Sequence, residues 1–176
     1  MIAIVTIGVT LLSASHLHWG VFAGIGLALV SFLYRRTHPR VIEVGHHEDG
    51  TLRDRNRFGL AAIADDMLAV RIDSPLNFLT GSLVERFIVD HCRRNKHVKR
   101  VLICAASVND IDYSGIETLF ALQAALQRDG IVLQLSAVKK QVRDVMERAG
   151  FISHLGQENF FLTDAQAIAA VRRGSP

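Results

Sequence analysis

The sequence predicts an α/β domain that follows one or two N-terminal transmembrane helical segments. No Asp, Glu, Lys or Arg occurs before Arg35, and all 37 such residues of the 176-residue chain lie from that point onward. A charge-free segment of this length needs lipid or a protein core around it. After residue 60, apolar runs alternate with amphipathic runs that end in glycine, which is typical of a mixed helix and strand domain.

The N-terminal segment contains two apolar runs, at residues 1–12 and 19–34. The second is near the lower length limit for a membrane span, and Trp19 and Tyr34 lie at its ends, as interfacial aromatic residues do. Arg35 and its basic neighbours follow, so the positive-inside rule places the rest of the chain on the cytoplasmic side of an inner or plasma membrane. The first run is too short to cross alone, and we interpret it as the end of a longer helix. A signal peptide is the alternative, although no basic residue precedes the run.

We divide the chain into transmembrane residues 1–36, a juxtamembrane linker or arm over 37–60, and a folded domain over 61–176. The stretch 45–59 within the arm is polar and contains the turn signal Asp49-Gly50. An irregular loop is therefore expected there.

Hydrophobic periodicity predicts three strands and four helices in the domain. In chain order these are a strand at 67–72, a helix at 82–95, a strand at 101–106, a helix at 114–129, a strand at 131–136, and helices at 138–149 and 165–172. Gly130 and Gly150 follow two of the helices, where glycine commonly ends a helix. The capping-box pattern, Ser or Thr followed three residues later by Glu or Gln, places Ser82, Ser114 and Thr163 at helix N-caps.

Several function classes lack support in these residues. Cys92 and Cys104 fall on a helix face and in an apolar strand, where no disulfide is expected in the cytoplasm. The sequence predicts no metal site, no cofactor and no enzyme, because a Gly-x-Ser-x-Gly setting, a phosphate-binding GxxxxGK[ST] loop and an HExxH motif are missing. The basic run 93–100 is more typical of a solvated helix end than of a nucleic-acid surface, so no nucleic acid is expected as a partner. Contact with anionic lipid is a slightly better alternative.

The most suggestive segment is 108–116, which joins an apolar strand to a helix. Ligands often bind at this place in α/β sheets, and the unpaired N–H groups of a helix start attract anions. The Ser114 helix start is therefore a candidate site for an anion or a nucleotide. The simpler interpretation is that Ser114 only caps the helix.

Four blocks of the sequence resemble a known family. They are LYRRTHPRV at 33–41, RIDSPLNF at 71–78, NDIDYSG at 109–115 and VRDVMERAGF at 142–151. Their order and spacing are similar to the C-terminal part of SulP-family (sulphate permease) anion transporters. In that family, the last transmembrane helix precedes a STAS domain, named after sulphate transporters and anti-sigma factor antagonists.

The resemblance implies a STAS-like mixed sheet flanked by helices. It also implies a cytoplasmic regulatory and dimer-organising domain of a sulphate or other inorganic anion transporter, with the membrane and the rest of a permease domain as partners and a homodimer as the assembly. By this resemblance, we expect the chain to be a fragment that is not transport-competent alone. The alternatives are a truncated gene product and a membrane-anchored STAS protein that works with a separate permease chain.

The family also suggests a specific site. In anti-sigma factor antagonists, the serine of an Asp-x-Ser-Gly motif accepts a phosphate. The matching residue is Ser114, with Asp112 and Gly115 in place and Tyr113 in the middle position. These three residues are the candidate phosphorylation or regulatory site, and a phospho-switch binding module of the antagonist type is the alternative function.

Overall fold

The computed structural model describes Ile7 and residues 17–36, 40–47 and 51–174. The chain divides into two compact units, residues 1–38 and 39–176. In the first unit, helix α1 (Leu17–Arg36) confirms the helix expected over residues 19–34. Its exposed apolar side chains include Val21, Phe22, Ile25, Leu29 and Val30.

The membrane-spanning part of that prediction is not confirmed. Among the residues that the structure describes, none of the helices combines the length and the apolar character needed to cross a membrane. The predicted run 1–12 lies, apart from Ile7, outside the described residues.

The second unit is built on a six-stranded mixed sheet with the strand order β2-β1-β3-β4-β5-β6. The strands are β1 (Val41–His46), β2 (Leu52–Asp54), β3 (Met67–Ile72), β4 (Arg100–Cys104), β5 (Val132–Ser136) and β6 (Phe160–Phe161). β3, β4, β5 and β6 are mutually parallel, whereas β1 runs antiparallel to both of its neighbours. The carboxyl ends of β3 and β4 therefore lie at the same edge of the sheet, which brings together the loops that follow them.

Helices connect the strands. They are α2 (Arg55–Phe58), α3 (Gly81–Arg94), α4 (Tyr113–Arg128), α5 (Lys140–Arg148), α6 (Phe151–Leu155) and α7 (Asp164–Gly174). Every helix and strand predicted within the domain is confirmed, and its ends agree within two residues. Gly130 and Gly150 have φ angles of 69° and 75°, which is the left-handed conformation expected of glycine after a helix.

The sheet has an apolar core on each face. Leu68 and Val70 of β3 belong to a large cluster that includes α3, α4, α5 and α6 residues, whereas Met67 and Ala69 belong to a smaller cluster with Ala167 of α7. Successive side chains of a strand point to opposite faces, so a strand covered on both sides is apolar at every position. This explains the continuous apolar runs of the sequence.

The loop or irregular arm predicted over 45–59 is wrong for the described residues 45–47 and 51–59, whereas the Asp49-Gly50 turn lies outside the described residues. β1 and β2 pair in this region, with Val44 opposite Asp54, and the short helix α2 follows. The Asp54 side chain accepts a hydrogen bond from the Arg57 N–H at 3.0 Å and so caps α2. The alternation of apolar and polar residues did not predict β2, because its three residues are too few to show a period.

Candidate functional site

Two loops at the carboxyl ends of β3 and β4 form the candidate site. Leu76 in the loop after β3 and Ile111 in the loop after β4 make an isolated parallel bridge. The Leu76 N–H donates to the Asp110 carbonyl at 3.0 Å, and the Asp112 N–H donates to the Leu76 carbonyl at 3.2 Å. The backbone therefore joins the two loops directly beneath the start of α4.

Asp112 is the N-cap of α4. Its backbone is extended, and its Oδ1 accepts a hydrogen bond from the Gly115 N–H at 2.8 Å. Its second oxygen, Oδ2, accepts a hydrogen bond from the Phe78 N–H at 3.3 Å, across 34 positions of sequence. One carboxylate thus serves both the helix start and the neighbouring loop.

The capping role predicted for Ser114 is wrong. Ser114 lies inside the first turn of α4, because the helix begins at Tyr113. The capping-box pattern fitted Ser114 and Glu117, but Asp is an equally strong N-cap residue and lies two positions earlier. The preference of N-caps for Asp was the signal in the sequence that could have identified Asp112.

The two other predicted caps differ in outcome. Ser82 is not an N-cap, because α3 begins one residue earlier and Thr80 precedes it. The Thr80 hydroxyl instead donates to the Pro75 carbonyl at 2.7 Å. The Thr163 cap is confirmed, since its Oγ1 accepts a hydrogen bond from the Gln166 N–H at 3.2 Å.

Gly115 allows the close approach of the two loops. A Cβ atom at this position would lie 2.2 Å from the Leu76 carbonyl oxygen and 2.9 Å from the Ile111 side chain. Real Cβ atoms do not approach other atoms so closely. Glycine is therefore required by packing in this turn, since any larger residue would push the loop after β3 away.

The surface of the site carries two exposed aromatic residues and several carboxylates. Tyr113 is 76% exposed and Phe78 is 70% exposed. A hydrogen bond to Glu117 raises the pKa of the Tyr113 hydroxyl. Ser114 is half-buried beside them, and Asp112 already occupies the Gly115 N–H that a bound anion would need.

Nearby side chains shape the edge of the site. Lys139 donates to the Asn109 side chain, and Gln141 donates to the Asn109 carbonyl. A cavity of about 440 Å³ adjoins Tyr113 and is lined also by Ile116, Glu117, Phe120 and Ala149. Within the described residues, no group of three or more His, Cys, Asp or Glu side chains could hold a metal ion.

The loops and their surroundings can be compared with known proteins. The sequence model of the STAS domain family matches residues 60–167. A probable sulfate transporter of Mycobacterium tuberculosis is 25% identical over 157 residues, which cover 88% of this chain and 28% of that protein. Probable sulfate transporter 4.2 of Arabidopsis thaliana is 27% identical over 160 residues, covering 85% of this chain and 24% of that protein. The chain spans about a quarter of the length of these relatives.

Solved structures share the fold. The murine Slc26a9 anion transporter in its inward-facing state matches 90% of this chain and 26% of that chain, with a TM-score of 0.76 and 15% identity. The STAS domain of a SulP transporter from Vibrio cholerae matches 67% of this chain and 90% of that chain, at a TM-score of 0.52 and 19% identity.

A putative anti-sigma factor antagonist from Thermotoga maritima has the same fold. It matches 62% of this chain and 91% of that chain, at a TM-score of 0.55 and 16% identity. The two-loop site therefore lies within the residues that match the family, and this match covers most of the folded unit. The resemblance noted in the sequence is confirmed: the chain belongs to the STAS domain family.

Proposed function

We propose that this chain is the regulatory and dimer-organising STAS part of a SulP-type transporter of sulphate or another inorganic anion. In this proposal, residues from position 40 onward lie on the cytoplasmic side of an inner or plasma membrane, and α1 associates with the membrane beside the rest of the permease. The Asp112–Gly115 turn then belongs to the regulatory surface of the transporter.

The observation that carries the proposal is the extent of the likeness. The anti-sigma factor antagonist from Thermotoga maritima covers 62% of this chain, whereas the Slc26a9 anion transporter covers 90%. Because the residues from position 60 to the end make up less than 90% of the chain, the match to Slc26a9 must also include residues before position 60, where the STAS match begins. The aligned sulfate transporters extend in the same way, over 85% and 88% of the chain.

Membrane fractionation tests the location. We expect the full chain to sediment with membranes and to remain there after a high-salt wash. Replacing Phe22, Ile25 and Leu29 of α1 together by serine should release it, because these side chains are exposed and apolar. The matched control replaces exposed Phe58 and Leu162 by serine and should stay with the membrane. Recovery of the unchanged chain in the salt-washed supernatant would contradict the proposal.

Light scattering in detergent micelles tests the dimer. We expect a mass of two chains, after subtraction of the detergent, at micromolar concentration. A single-chain mass at every concentration would rule out a dimer-organising role for this part of the transporter.

A phospho-switch module of the anti-sigma antagonist type is the second candidate, favoured by the local geometry of Ser114. Because Asp112 caps α4, capping does not account for the serine, and Ser114 is only half-buried. Mass spectrometry of the chain isolated with phosphatase inhibitors from cells that naturally produce it should then find a phosphoryl group on Ser114. Its absence under varied anion supply would contradict this candidate.

A further inference from the structure

The Asp112 carboxylate joins two parts of the site that are far apart in sequence. Oδ1 accepts from the Gly115 N–H in the first turn of α4, and Oδ2 accepts from the Phe78 N–H in the loop after β3. Two backbone hydrogen bonds of Leu76 also join these parts. Among the hydrogen bonds between the two parts in the described residues, the one to Phe78 depends on a side-chain charge.

We propose that Asp112 is a positioning residue that couples the charge at Ser114 to the conformation of the loop at 73–80, which carries the exposed Phe78. Negative charge added at Ser114 draws the N–H groups of the first turn of α4 away from Asp112 and repels its carboxylate. Asp112 then releases the Phe78 N–H, and the loop becomes mobile. The inference rests on the Ser114 site proposed above and names its structural response.

The charge would come from phosphorylation. The Oγ atom of Ser114 forms a bond to the γ-phosphorus of a nucleoside triphosphate as the bond from that phosphorus to the β,γ-bridging oxygen breaks. The nucleoside diphosphate leaves, and the hydroxyl proton of Ser114 passes to solvent. The modified serine lies two residues from Asp112 in the same turn. Two anionic groups that share the same N–H donors compete for them.

Loop 73–80 has the features expected of a part that can respond. Phe78 is 70% exposed, so little apolar burial holds its side chain in place. Ser74 is half-buried, and its buried hydroxyl oxygen has no hydrogen-bond partner. Leu76, by contrast, is buried and anchored by its two backbone bonds. Release of Phe78 therefore changes the surface of the site without unfolding the sheet edge.

Amide hydrogen exchange of the full chain in detergent micelles tests the coupling. Asp112→Asn keeps one acceptor oxygen and a good N-cap residue, but it lacks the second acceptor for Phe78. We expect segment 73–80 to exchange faster, by about five- to tenfold at the Phe78 amide, the effect of losing one net hydrogen bond, but not at the Leu76 amide, whose backbone bond remains. Asp110→Asn is the matched control, because it removes a charge from an exposed position of the loop after β4, which also carries Asp112. It should leave the exchange of residues 73–80 unchanged.

The double variant separates coupling from simple support. Ser114→Asp should speed exchange of 73–80 in the unchanged chain but add nothing in the Asp112→Asn background. Equal exchange in the unchanged and Asp112→Asn chains would overturn the inference, and so would an undiminished Ser114→Asp effect in the double variant. If these results are as expected but Ser114 carries no phosphate in cells, the phospho-switch function fails and the Asp112 coupling stands.

Discussion

At the scale of single residues, the site depends on two residues of opposite character. Asp112 supplies two acceptor oxygens to backbone N–H groups, and Gly115 supplies empty space where a Cβ would strike the Leu76 carbonyl. Both residues act on the backbone of a neighbouring loop. Ser114 lies between them in the first turn of α4 and does not cap the helix.

The first prediction compares Asp112 and Ser114. Asp112→Ala should lower the free energy of unfolding by about 1 kcal/mol, since it removes an N-cap. Ser114→Ala should change it by less than about 0.5 kcal/mol, as expected for a position outside the cap. Urea unfolding in detergent micelles, followed by far-ultraviolet circular dichroism, measures both. A Ser114→Ala loss as large as that of Asp112→Ala would restore the capping role of the serine.

The second prediction concerns Gly115→Ala. The new Cβ would lie 2.2 Å from a backbone oxygen that cannot rotate away, so the two loops must separate. Overpacking of this kind costs about 1–3 kcal/mol, and we expect a loss within that range in the same urea experiment. Ser114→Ala is the control, because it changes the adjacent residue of the same turn. Unchanged stability of Gly115→Ala would show that the loops are not held together here.

At the scale of elements, the end of α3 meets β1 and α2 at a cavity of about 340 Å³. His91 of α3 lines it together with Glu43 of β1 and Arg55 of α2, which form an ion pair with each other. Asp65, Arg94 and His97 complete the charged surroundings of His91. Burial lowers the pKa of His91, although the Glu43 carboxylate acts in the opposite direction.

The third prediction is a pH dependence from His91. Because its pKa is lower in the folded chain, the unfolded chain binds more protons, and folding stability falls as the pH drops through about 6.5. Urea unfolding at pH 7.5 and 5.5 should show this loss, and His91→Gln should reduce it. His154→Gln, an exposed histidine outside this cavity, is the matched control. An unaltered pH slope in His91→Gln would exclude His91 as its source.

At the scale of the whole folded unit, the sheet has an apolar core on each face, and groups within these cores are shielded from solvent. Cys92 of α3 and Cys104 of β4 are both free and buried. Burial raises the pKa of Cys92 to about 11 and that of Cys104 to about 12. Beneath α7, the fully buried Ser136 hydroxyl donates to Asp164 Oδ1 at 2.6 Å and so ties the last helix to β5.

The fourth prediction is that both thiols are inert while the unit is folded. The reactive form of cysteine is the thiolate, which burial and the raised pKa values suppress at pH 7.5. A maleimide reagent should therefore label neither cysteine in buffer and both in concentrated urea, as mass spectrometry would show. Ser136→Ala should speed labelling of Cys104 but not of Cys92, because it weakens the attachment of α7. Rapid labelling of the folded chain would contradict the two-sided core.

Much of the fold follows from the sequence because it depends on local patterns. The apolar run of β4, the period of α4 and the left-handed Gly130 and Gly150 each act within a few residues, so their ends were predicted within two residues. The family blocks identified the Asp-x-Ser-Gly turn for the same reason, since its residues are consecutive. The sequence analysis did not predict β1 or the short elements α2, α6, β2 and β6, and the short ones have only two to five residues, too few for a pattern.

The sequence by itself determined the α/β class, the order of the longer helices and strands from residue 67 onward and the location of the candidate turn. Only the tertiary structure decided that Asp112 also accepts a hydrogen bond from the Phe78 N–H, and why Gly115 must be glycine. The physical reason is that Leu76 and Phe78 precede the Asp112–Gly115 turn by more than 30 positions in the sequence. The parallel pairing of β3 with β4 brings their loops to one edge, and a contact created by that pairing leaves no period or spacing in the sequence.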